Sequence, residues 1–200
     1  MGQRFPQEAF KDVRQFDEVD TFLSNGVAAK WDPAVRFLAK LNSHTAMCVI
    51  KTLTNAWTTT HRLNEPVRIR CIFGCEDPDV TRHYIVCDAL ARIVAQAGLV
   101  GLSSDVLCRL CIQKPDAIHA CFVFVAFTTY HHVKHRFRDT VDLCRSNGNF
   151  RTITDIATNV ALSAKRKFHF LSPRLARFAP SIPTLENSPE TWEEFFADLA

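Results

Sequence analysis

Apolar residues recur at spacings of three and four through most of the chain's middle, in runs separated by short polar breaks, the pattern of packed amphipathic helices. The first stripe is Ala34, Phe37, Leu38 and Leu41. Asp32 stands before it as a cap, with Pro33 at the first turn, a favoured way to begin a helix. Ser43 starts a second helix carrying Met47, Ile50, Leu53, Thr54 and Trp57, and the two form a short hairpin that Trp57 closes. Asn64-Glu65-Pro66 interrupts the period, and residues Val67 to Phe73 alternate instead, as a strand entering a tight loop does. Helical spacing resumes from Val80 to Ala97, with Tyr84, Cys87, Leu90, Ile93 and Val94 inward. Gly98 follows where a helix-ending glycine belongs. Ser103 or Ser104 caps a short helix to Ile112, and Pro115 opens a long one to about Arg138 whose first half, ACFVFVAF, is apolar all round. Phe150 to Phe168 reads as the last core helix. Pro173, Pro180 and Pro183 punctuate a linker, after which Ser188-Pro189-Glu190 begins a tail helix around Trp192, Phe195, Phe196 and Leu199.

The pattern predicts a mostly α fold: a helical domain with one small CCHC zinc knuckle, built as a short strand–turn–helix. It divides the chain into a polar segment 1–30, a hairpin plus knuckle over 31–100, a helical segment with a basic face over 101–172, and a linker with an acidic tail helix over 173–200.

Composition sharpens this in two places. Hydrophobic residues make up 47% of the 200 positions, including 16 Phe, ample for a packed core. Charged residues at 22% suit a protein in water. The longest apolar run, Ala120 to Phe127, is far short of the roughly 20 residues that cross a bilayer. The start MGQRFPQEAFKDVRQ has no secretory pattern, and Gly2 lacks the Ser or Thr of an acylation signal. A soluble intracellular protein, nuclear or cytoplasmic, is the expectation, with no membrane partner and no small-molecule substrate. The net charge of +3 conceals an asymmetry. The last twenty residues hold Glu186, Glu190, Glu193, Glu194 and Asp198 and no base, so the other 180 carry +8. Between 134 and 177, ten Lys and Arg stand against three Asp, an excess of +7 that favours a polyanion near that face.

Eight cysteines in a reducing compartment are read first as metal ligands rather than as disulfides. Four residues have the spacing for it: Cys71-x3-Cys75-x7-His83-x3-Cys87. Cys71 and Cys75 flank Ile-Phe-Gly, and Gly74 can take the positive φ that turns both sulfurs to one point. His83 and Cys87, four apart in a helix, project from one face on successive turns. The polar Glu76-Asp-Pro-Asp79 between the halves places Asp79 to cap the ligand helix. Any one of these four alone would be an ordinary buried cysteine or surface histidine. Together they predict a single structural zinc, since four protein donors leave no coordination position for an activated water. Cys108-x2-Cys111, with His119 and Cys121 downstream, could form a second site, but those sulfurs fall on an apolar stripe and read as core cysteines. His131 and His135, one turn apart beside His132, lack a neighbouring carboxylate or thiolate and read as part of a basic helix face.

Trp57-Thr-Thr-Thr-His-Arg62, then Cys-Ile-Phe-Gly-Cys75, then His-Tyr-Ile-Val-Cys87 resembles the zinc-binding region after the polymerase domain of LINE-type (non-LTR) retrotransposon reverse transcriptases. The resemblance covers about residues 30–140 and is specific at 57–90. It implies Cys71, Cys75, His83 and Cys87 as ligands and no catalytic residue. The family's polymerase lies upstream of this loop, whereas only 70 residues precede it here, and the family's paired-aspartate motif is absent; Phe196-Ala-Asp-Leu199 holds a single Asp. Some relatives carry a nuclease opened by Lys/Arg-Pro-Asp. Lys114-Pro115-Asp116 matches that opening, but Thr128, Thr129 and Tyr130 occupy the place of the second acid. Metal-dependent cleavage needs converging carboxylates, so the tripeptide is read as a helix start.

The functional expectation is therefore a non-catalytic, zinc-stabilised segment, a remnant or fragment of such a protein, that binds RNA or DNA. Arg68, Arg70, Arg82, Lys134, Arg136 and Arg138 would meet phosphates, while Tyr130, His131 and His132 would stack on or hydrogen-bond unpaired bases. The alternative is a zinc-stabilised helical protein–protein interaction module, its acidic tail docked on the basic face or on a partner.

Overall fold

The computed structural model describes residues 31–172; the polar segment 1–30 and the linker and tail over 173–200 lie outside the described residues. Eight helices run through the described part: α1 Trp31–Leu38, α2 Ser43–Leu53, α3 Thr81–Val86, α4 Asp88–Gln96, α5 Val106–Arg109, α6 Ala117–Arg136, α7 Arg138–Ser146 and α8 Phe150–Leu171. The fold is mostly α, as the spacing predicts.

Their ends follow local chemistry. Asn42 caps α2 by accepting from the Thr45 amide at 2.9 Å. Asp105, rather than Ser103 or Ser104, caps α5, and Asp116 caps α6 by accepting from His119 N at 2.8 Å. Gly98, at φ +76°, ends α4 with Leu99 N bonded back to Val94 O, the glycine-terminated motif its position suggests. One segment differs: Val67 to Phe73 forms no strand. Its only ladder-like contact among the described residues is a single antiparallel bridge between Arg70 and Pro78. The alternation stops at Cys71: Ile69 is half-buried between exposed Arg68 and Arg70, and Cys71, Ile72 and Phe73 are then buried in succession along an irregular loop, without a neighbouring strand.

α6 is the axis of the molecule. It packs along α8 on one side and against α2 on another, with α4, α5 and α7 around it. Every residue from Ala120 to Ala126 is buried, which explains why this helix has no polar face to give it an amphipathic signature. The core is continuous from Leu41 to Phe168, so the segments 31–100 and 101–172 share one interior. The hairpin helix α2 buries Thr45, Cys48, Val49, Thr52 and Leu53 while Met47 faces outward. That is one step around the helix from the expected stripe, because α6 receives the Cys48–Thr52 edge. None of the described helices is long and apolar enough to cross a membrane.

Candidate metal centre

Trp57 joins the hairpin to the loop that carries the cysteines. It is fully buried, donates from Nε1 to Thr52 Oγ1 at 2.9 Å, and stacks on Tyr84 of α3 with centroids 5.7 Å apart. Phe127 and Tyr130 of α6 close the cluster at 5.6 and 5.2 Å. Against this aromatic wall the chain makes a tight turn, Gly74 N bonding Cys71 O at 3.2 Å. Gly74 has φ +96°, as its place between the cysteines requires, and a Cβ there would lie 2.8 Å from the Phe150 ring. Both the turn and the close approach of α8 exclude a side chain.

Cys71, Cys75, His83 and Cys87 come together with their ligand atoms all within 4.8 Å of one another. Cys71 Sγ and Cys75 Sγ lie 3.8 and 3.4 Å from Cys87 Sγ. Cys71, His83 and Cys87 are buried and Cys75 is half-buried. The arrangement can hold a metal ion.

The route to that convergence differs from the expected one. The ligand segment is not one helix: Cys87 breaks it, with φ −64° and ψ 118°, ending α3 and capping α4 through its own sulfur, which accepts from Leu90 N at 3.4 Å. The kink swings the Cys87 sulfur toward the Cys71–Cys75 turn while His83 stays on α3. Asp79 does not cap α3 either. Val80 occupies that position with no side-chain bond, and Asp79 turns inward.

The three sulfurs shift one another's protonation. The Cys87 thiol above all, with the amides of Phe73 and Cys75, holds Cys71 well below the usual thiol range despite its burial. The same contact with Cys71, then burial, pushes Cys87 up, and burial pushes Cys75 up. One thiolate is thus accommodated by hydrogen bonds, and three side by side call for a counter-cation. His83 adds a directional feature. Its Nδ1 lies 3.3 Å from Asp77 Oδ2, while its Nε2 is buried without a hydrogen-bond partner. A buried polar atom is rarely left so. A histidine whose other nitrogen faces a carboxylate is the usual form of a metal-bound imidazole. Beside the centre, a shallow cavity of about 320 Å³ is lined by Asp77, Arg82, Val86 and Asp88 together with the ligands Cys75, His83 and Cys87.

Asp79 organises the interior behind the site. It is wholly buried. Oδ2 accepts from Thr60 N at 2.7 Å, and Oδ1 accepts from the hydroxyls of Tyr84 and Tyr130 at 2.7 and 2.9 Å. Lys134 Nζ stands 3.4 Å from Oδ2, donates to Thr58 O at 2.6 Å, and lies 3.5 Å from Glu65 Oε1. Burial, and then the Asp79 charge, push both tyrosines above their ordinary range, so both remain donors. Asp77 escaped the sequence reading, and Asp79 was expected as a helix cap, because acids in a Pro-containing turn suggest a solvated loop.

This network corrects part of the expected nucleic-acid surface. Tyr130 is fully buried and offers no face to a base. His131 has both ring nitrogens engaged, Nδ1 donating to Phe127 O at 2.8 Å and Nε2 accepting from Thr58 N at 3.3 Å. It is therefore neutral and turned inward. Lys134 is committed to Asp79 and Thr58. Arg68 is exposed and donates to Asn64 Oδ1, Arg70 is exposed and paired with Glu76, and Arg82 is half-buried at the cavity rim. Arg136 and Arg138 are exposed. Lys165, within the basic segment, also points inward, donating to Ala97 O and Gly98 O at the end of α4.

Among the described residues the four-residue cluster is the only such grouping. Cys108 faces Asp105, and His119 sits between Asp116 and the Ser103 amide. Burial pushes the Cys121 thiol up to about 12 and raises Cys111 too. These are core thiols. His135 bonds Thr58 Oγ1 at 2.7 Å.

Compared with family models, with curated proteins and with solved structures, the chain matches none.

Proposed function

We propose that this chain is a non-catalytic binding module whose fold is completed by one structural zinc ion held by Cys71, Cys75, His83 and Cys87. The observation that carries the reading is the pairing of three converging sulfurs with a buried, partnerless His83 Nε2. Zinc is the metal that suits them. Tetrahedral thiolate coordination at about 2.3 Å sets sulfurs about 3.8 Å apart, close to the 3.4 and 3.8 Å separations found here. Four protein donors fill that tetrahedron, so the ion's role is to tie the Cys71–Cys75 turn to α3 and α4. Asp77 orients the imidazole, and the Asp79 network anchors the same loop to α6.

What the surface offers a partner is a set of arginines suited to the phosphates of RNA or DNA. Arg68 and Arg70 lie on the loop before the knuckle, and Arg136 and Arg138 at the α6–α7 junction. Binding of this kind reads phosphate rather than base, since Tyr130 is buried and both ring nitrogens of His131 are engaged within the fold. The resemblance of residues 57–90 to the retrotransposon zinc region agrees with such a role. The test is titration of single-stranded RNA and of duplex DNA at several salt concentrations. An Arg136→Ala, Arg138→Ala variant is expected to bind more weakly, with the slope of log K against log salt reduced by about 0.7–0.9 per lost contact. Absence of binding at low salt overturns the nucleic-acid reading and leaves the zinc assignment standing.

A further inference from the structure

The described chain ends beside an open groove. Ser172, the last described residue, accepts from Asn42 Nδ2 at 2.7 Å, and Asn42 is the cap of α2. The next turn of that helix begins the groove, a cavity of about 360 Å³ lined by Ser43, His44, Met47, Cys48, Lys51 and Phe127. Its floor is apolar, with Met47 49% exposed beside Phe127. Its rim is basic. Lys51 lies over the Phe127 ring at 5.6 Å. Burial first, and then the charges of Lys167 and Lys51, hold the His44 ring below its ordinary range.

The sequence beyond Ser172 has the complementary character. Trp192, Phe195, Phe196 and Leu199 fall at helical spacing, interleaved with Glu190, Glu193, Glu194 and Asp198. An acidic apolar stripe of that kind matches a groove with an apolar floor and a basic rim. The seventeen residues from Pro173 to Pro189 can span up to about 56 Å, so the return to a groove that opens next to Ser172 is easily within reach. Tethering also raises the local concentration of the tail to the order of millimolar, so weak contacts suffice.

We propose that the segment 189–199 docks, within its own chain, in the α2–α6 groove, its aromatic residues on Met47 and Phe127 and its carboxylates toward Lys51. The proposal is independent of the metal and of nucleic acid. The groove would then be a covered surface that an outside partner reaches only by displacing the tail.

Hydrogen–deuterium exchange on the full, zinc-loaded chain tests it. Amides of 190–199 are expected to exchange at least tenfold more slowly than in the free peptide of the same sequence. A Met47→Glu, Lys51→Glu variant should lose that protection while amides in the middle of α6 keep theirs. In the single Lys51→Glu background, Glu193→Lys with Glu194→Lys should restore part of it. Oxidation of Met47 by dilute peroxide gives a second reading without altering the groove, and removal of 186–200 should speed it several-fold. Free-peptide exchange rates in the intact chain overturn the proposal. So does protection indifferent to the groove variants, which would put the tail elsewhere. Protection that grows with protein concentration would assign the groove to a second copy and equally overturn docking in cis. An unchanged Met47 oxidation rate after truncation would contradict it as well.

Discussion

Asp77 Oδ2 lies 3.3 Å from His83 Nδ1, and the opposite nitrogen of that ring is buried with no partner. In the proposed zinc site the carboxylate would hold the ring with Nε2 free for the ion, so Asp77 would act on the metal through His83. Asp77→Asn is expected to weaken zinc retention by about 10–100-fold in competition with a chromogenic chelator, with the zinc-loaded fold unchanged. Retention equal to the wild type would show that the turn alone sets the ring.

Lys134 and Asp79 form a pair inside the protein, the lysine 13% exposed and the aspartate wholly buried. Asp79→Ala takes an acceptor from two tyrosine hydroxyls and the Thr60 amide and the buried counter-charge from Lys134, which keeps its bond to Thr58 O. Removing one partner of such a pair costs roughly 3–5 kcal/mol, and denaturant unfolding of zinc-loaded protein should show a loss of that order. Lys134→Met should cost less, because Asp79 keeps three donors. The reverse order would place the weight of the network on the lysine.

At Gly74, two constraints meet: φ of +96° and a Phe150 ring that a Cβ would approach to 2.8 Å. Gly74→Ala is expected to destabilise by the roughly 1–2 kcal/mol of a left-handed backbone, plus the clash. Phe150→Leu in the same chain should recover the clash and leave the backbone cost. A double mutant that is simply additive would show that α8 gives way freely.

How much of this was legible in the sequence depended on where each signal resided. The clustering of Cys71, Cys75, His83 and Cys87 was, because their spacing and residue types are chemical information that folding only brings together. Gly74 and Gly98 were legible for the same reason, each at a position with one backbone solution. The break at Cys87 was not, since no Gly or Pro marks it; the sulfur that caps α4 does so through an ordinary cysteine. Asp79 and Lys134 were 55 residues apart, and nothing local says that a turn carboxylate and a helix cation meet in the interior. The same blindness placed Tyr130, His131 and Lys134 on an imagined surface. Their helix runs through the centre of the molecule, and a helix buried on nearly all sides has no period from which its one open face can be read.

His131 provides a pH signature. Burial, the largest influence, lowers it from 6.5 to about 4, so the folded state resists the proton that the unfolded chain takes up near pH 6.5. The stability it contributes is complete above pH 6.5 and is lost progressively as pH falls toward 4. His131→Gln should flatten the stability-versus-pH curve across that window relative to wild type, the metal ligands being common to both. Parallel curves would mean the ring is protonated in the fold.

The most direct test of the account is metal analysis of the chain purified without added metal or chelator, alongside Cys75→Ser. The account predicts one equivalent of zinc per chain, a lower content in the variant, and loss of ordered structure around residues 67–90 when a strong chelator removes the ion, since ligand convergence and folding are coupled. Wild type and variant equally free of zinc, with the same thermal stability and the same spectrum before and after chelation, would contradict it.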